Sequence, residues 1–67
     1  MKEYLEIIAE IETVLRITGE ESEAIQALIK ETSETTGRRA ADIAAEILRM
    51  ALTGRELDDI LAVLEGA

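Results

Sequence analysis

The apolar positions of this 67-residue chain fall into four runs, each with the spacing of a helix that buries one face. From residue 2 to about 17, Tyr4, Ile7, Ile8, Ile11, Val14, Leu15 and Ile17 share one broad arc, with Leu5 on its flank. Glu3, Glu6 and Glu10 lie opposite. A second run, 22–35, carries the stripe Ile25, Leu28 and Ile29. The third, 38–52, is different in kind: Asp42, Glu46, Arg49 and Thr53 form one narrow polar stripe, and from Ala40 onward alanine, isoleucine, leucine and methionine fill the remainder. A helix apolar over about two thirds of its circumference belongs at the centre of a bundle, touching several neighbours. Its alanines allow close approach. The fourth run, 55–65, carries a one-face stripe of Leu57, Ile60, Leu61 and Leu64. No stretch alternates with period two, so no strand is expected. The pattern predicts an all-α fold: one domain, 1–67, a compact bundle of four short helices with the third central.

The breaks between runs share a dipeptide. Thr18-Gly19, Thr36-Gly37 and Thr53-Gly54 each precede two charged residues. Glycine just past a helix takes the left-handed position without a Cβ penalty. Thr18/Glu21 and Thr53/Glu56 also have the spacing of a capping box, with Ser22 competing as N-cap of the second helix. One threonine cannot serve fully as both a helix end and an N-cap. Gly54 is read as a true break: on one continuous helix, the third and fourth apolar faces would point about 140° apart, and one would be exposed.

Composition narrows the chemistry. Asn, Pro, Cys, His, Phe and Trp are all absent, types that make up roughly a sixth of average usage. Without Cys or His there is no disulfide, thiolate nucleophile, imidazole base or zinc site of the usual kind. The longest apolar run is five residues, Ile60 to Leu64, so neither a membrane span nor a signal-peptide core is expected. A soluble, cytoplasmic protein is the corresponding expectation. Fifteen acids against seven bases give a charge of −8. That balance disfavours nucleic acid and anionic membrane surfaces, and leaves a basic protein surface as the conceivable electrostatic partner. A chain this short without staples holds a small core, so association with copies of itself is the other expected partnership.

Three places merit attention as sites. Glu6 and Glu10 share a face at i,i+4 and Asp58-Asp59 are adjacent, but both pairs read as solvated surface, and no Glu-x-x-His ligand pattern can be built. Neither Lys2 nor Lys30 lies in an apolar setting that would activate it. Catalysis and cofactor binding are therefore not expected. The ten-residue polar run Lys30 to Arg39 continues the core-facing side of the second helix through Thr32, Thr35 and Thr36. These hydroxyls could line a polar pocket, or simply close a half-exposed helix end, which should fray first. On the first helix, Ile7, Val14 and Ile17 sit at one edge of an arc wider than a single neighbour needs. They either pack on a second helix or form a strip for self-association or a partner.

The short alphabet, regular segment lengths, reused Thr-Gly breaks and glutamate- and arginine-rich surface make the chain resemble a de novo designed helical bundle, and no natural family is matched. That resemblance implies a protein whose role is its own fold or assembly, without catalytic activity. The alternative is a small acidic binding module that occupies a basic surface of a partner, in the manner of an immunity protein, an antitoxin or a nucleic-acid mimic.

Overall fold

In the computed structural model, which describes residues 3–66, the chain forms α1 (Tyr4–Leu15), α2 (Gly19–Thr36), α3 (Ala40–Leu52) and α4 (Leu57–Glu65). Lys2, expected at the start of the first helix, lies outside the described residues. The third helix is central: α3 packs against each of the other three, most extensively against α1. Its buried face is Ile43, Ala44, Ile47 and Ala51, and the two alanines let neighbouring helices come close. The globule measures 28 × 27 × 23 Å.

Isoleucine fills the middle. The largest fully buried side chains are Ile11, Ile25, Ile29, Ile43, Ile47 and Ile60, drawn from all four helices. A β-branched side chain is held to one rotamer by its own helix, so burying it sacrifices little freedom. Leucines occupy the rim: Leu15, Leu28, Leu48, Leu57 and Leu61 pack half-buried around this centre.

Helix ends explain where the elements differ from the expected 2–17, 22–35, 38–52 and 55–65. α1 stops at Leu15 because Arg16 takes the left-handed conformation (φ 54°), leaving Ile17 outside the helix but packed on the core. Thr18 then caps α2, not α1: its hydroxyl accepts from the Glu21 amide at 3.2 Å and the Glu21 carboxylate accepts from the Thr18 amide at 3.0 Å. Gly19 accordingly sits in the first turn of α2, and Ser22 lies one turn inside the helix. At Thr53 the same dipeptide works in reverse. Its hydroxyl donates to the Met50 carbonyl at 2.8 Å, closing α3, and Gly54 follows at φ 93°. No side chain caps α4, whose first residue is Leu57, because Thr53 is already committed to the helix before it. Gly37 ends α2 at φ 74° and donates its amide to the Ser33 carbonyl.

These ends set up paired substitutions. Left-handed backbone costs a non-glycine residue roughly 1–2 kcal/mol, partly offset by the 0.5–1 kcal/mol of freedom that glycine brings to the unfolded chain. Arg16→Gly should therefore raise stability by about 0.5–1 kcal/mol in urea denaturation. Gly37→Ala, with open space around the added carbon, should lower it by about 1 kcal/mol from backbone strain alone.

Candidate functional site

The threonine-rich end of α2 closes the helix and does not line a cavity. Thr32 alone of the three is buried, whereas Thr35 and Thr36 are exposed. Thr35 donates to the Glu31 carbonyl at 2.9 Å, and Thr36 donates to the Thr32 carbonyl at 2.7 Å. Thr36 also accepts from the Arg38 amide at 3.3 Å, and Ser33 donates to the Arg38 carbonyl. Thr36 is in phase with Ile25 and Ile29, but it sits in the last turn, where the side chain is exposed. A pocket shared by Thr32, Thr35 and Thr36 is thus replaced by a ladder of hydroxyl-to-carbonyl bonds.

Beside that ladder, on another flank of α2, runs an open groove of about 500 Å³ lined by Tyr4, Gln26, Ala27, Lys30, Ser33, Glu34 and Ala40. Partial burial pushes the Tyr4 phenol above its ordinary value of 10.0. The groove offers two hydroxyls (Tyr4 and Ser33), an amide and one exposed ammonium, with the Glu34 carboxylate one turn beyond that ammonium. Because it contains residues from the N-terminal ends of both α1 and α3, it shows that these two helices start at the same end of the molecule.

The three α1 residues picked out as an interface strip separate. Ile7 is buried in the core and is not available at the surface, whereas Ile17 packs against the core half-buried. Val14 is 39% exposed. It contributes instead to a second groove, between α1 and α3, of about 380 Å³ and lined by Ala9, Glu10, Thr13, Val14, Leu48 and Leu52. Leu52 projects from its edge at 66% exposure. Glu10 is half-buried at this groove while Glu6 stays exposed, and Asp58 and Asp59 are exposed in the first turn of α4, where negative charge suits the helix dipole.

Two polar contacts escape a reading by periodicity. Ser22 is buried and donates to the Glu12 carboxylate, pinning α2 to α1, while accepting from the Gln26 amide at 3.2 Å. Arg38, in the α2–α3 connection, grips both oxygens of Glu46. That guanidinium holds the Glu46 carboxyl below its ordinary value of 4.5, and the carboxylate in turn raises Arg38. Among the described residues no three acidic side chains gather closely enough to hold a metal ion. No helix is long and apolar enough to cross a membrane, again among the described residues.

No protein-family model matches the chain, and no curated protein or solved structure matches it either.

Both polar contacts can be measured. Ser22→Ala removes a buried hydrogen bond to a charged group and should cost about 1.5–3 kcal/mol in urea denaturation, most of it absent when Glu12 is already alanine. For Glu46, a carboxyl lowered by folding contributes stability above its unfolded-state value and loses it as pH falls through the folded one. Glu46→Gln should therefore unfold at lower urea than wild type at neutral pH. The two should converge at pH values well below 4.5, and high salt should narrow the gap because the pair is half exposed.

Proposed function

We propose that this chain is a non-catalytic helical bundle of the idealised, designed type, whose role is its own fold and its assembly with further copies of itself. The supporting observation is the α1–α3 groove. After four helices have closed around the isoleucine core, Val14 and Leu52 still flank an apolar channel at the surface. Leaving such a channel exposed invites association. The reading assigns neither substrate nor cofactor. A soluble, cytoplasmic setting suits a chain without cysteine.

Molar mass by light scattering at low and high concentration tests this reading. The expected result is a mass that rises with concentration above 7.3 kDa. A constant 7.3 kDa up to high concentration overturns the assembly role.

A second reading draws on the outer surface of α2, where Glu20, Glu21, Glu23, Glu31 and Glu34 are exposed against the single base Lys30. Such a face could occupy a basic surface of a partner protein. An acidic binding face crowds like charges in the free chain, so the melting temperature should rise by several degrees between low and high salt. A flat salt response counts against this reading.

A further inference from the structure

We propose that the α2–α3 connection, residues 37–39, is a hinge that straightens into helix, so that two copies exchange their α3–α4 halves. This rests on the assembly reading and gives it a route.

The apolar phase across the connection carries the proposal. On one continuous helix through Gly37, the buried face of α2 (Ser22, Ile25, Ile29, Thr32) and that of α3 (Ile43, Ala44, Ile47, Ala51) point within about 40° of each other. Thr36 and Ala40 fall on the same stripe, and Arg39 lies at its edge. The faces of α3 and α4, by contrast, diverge by about 140° on a continuous helix, so phase demands the break at Gly54 but not the one at Gly37. The chain holds no proline to forbid helix through the connection. Residues 19–52 can therefore form one rod about 50 Å long with a single apolar side.

The helix ends agree. α2 opens on a capping box, but no side chain caps α3. On a straight helix the amides of Arg38 to Ala41 find the carbonyls of Glu34 to Gly37. Opposing this are contacts that only the bend permits: the Thr36 hydroxyl on the Arg38 amide, and the grip of Arg38 on Glu46. A straight helix sets those two side chains about 12 Å and 80° apart, and gives Arg38 the acids Glu34 and Asp42, four residues to either side, instead.

Exchange follows from what the rod cannot do within one chain. α1 packs most extensively on α3, and α2 packs on both α3 and α4. The rod holds these pairs apart. A second copy laid antiparallel restores each of them, with every lobe combining α1–α2 of one copy and α3–α4 of the other. The isoleucine core is then unchanged, and the two forms differ at the hinge.

Molar mass after refolding from urea over a range of concentrations, joined to a distance between paired spin labels, tests the exchange. Wild type should rise toward twice 7.3 kDa. Gly37→Ala strains the bend and favours the helix at both hinges, so half-dimerisation should need more than about a hundredfold less protein. Gly37→Asn, which tolerates the left-handed conformation, should shift it far less. Labels on Glu23→Cys and Arg49→Cys, both exposed, are placed in one chain and diluted with unlabelled chain. In the dimer they should stand about 39 Å apart, further than in the monomer, whose longest dimension is 28 Å. If wild type dimerises with the monomer's label separation and is indifferent to residue 37, the hinge is overturned and the assembly reading stands. If Gly37→Ala exchanges at the long separation while wild type stays at 7.3 kDa, the hinge holds and the assembly reading fails. If neither dimerises, both fail.

Discussion

The structure depends on one constraint: α3 must be apolar enough, and slim enough, to be touched by three other helices at once. Ile43 and Ile47 supply the fill, and Ala44 and Ala51 supply the thinness. Around them Ile11, Ile25, Ile29 and Ile60 arrive from the other helices, so the centre is built from one residue type with a restricted rotamer. The consequence is a core with few alternative packings in a chain that has no cysteine, and so no disulfide, to select one. The rim leucines, which have more rotamers, take up the irregular space where helices diverge.

Around that core the helix ends carry the polar chemistry. The same Thr-Gly dipeptide opens α2 at Thr18, closes α2 at Thr36-Gly37, and closes α3 at Thr53. Thr18 pairs a backbone donor of the first turn of α2, whereas Thr36 and Thr53 add a hydroxyl to a carbonyl of the last turn. The ion pair between Arg38 and Glu46 ties the α2–α3 connection to α3, and the hydrogen bond from Ser22 to Glu12 ties α2 to α1.

The number of helices, the central place of α3 and the break at Gly54 were all legible in the spacing of apolar residues, because each follows from which way a side chain points. What remained hidden depends on depth or distance. Thr36 points the same way as Ile29, but direction does not say how far along a helix the neighbours reach. Ile7 and Val14 lie on one arc, and only the placement of α3 decides that the first is covered and the second half open. Ser22 looked like an N-cap because its partner Glu12 stands on another helix, ten residues back. The role of each Thr-Gly was hidden for a chemical reason: a hydroxyl can donate as well as accept, so the residue suits either end of a helix.

The common direction of α1 and α3 also shapes how the chain reaches this state. With 18 residues, α2 spans about 27 Å, nearly the full 28 Å length of the molecule. It carries the chain from the far end back to the near one, and so the most extensive pairing joins two segments that are not consecutive. Neither the α1–α2 hairpin nor the α3–α4 hairpin contains that pairing, and neither holds a complete core. When α2 is helical, it turns the closure of a long flexible loop into the docking of two rods on a strut. The helix with the most polar sequence is therefore the one that spans the distance between α1 and α3 along the chain.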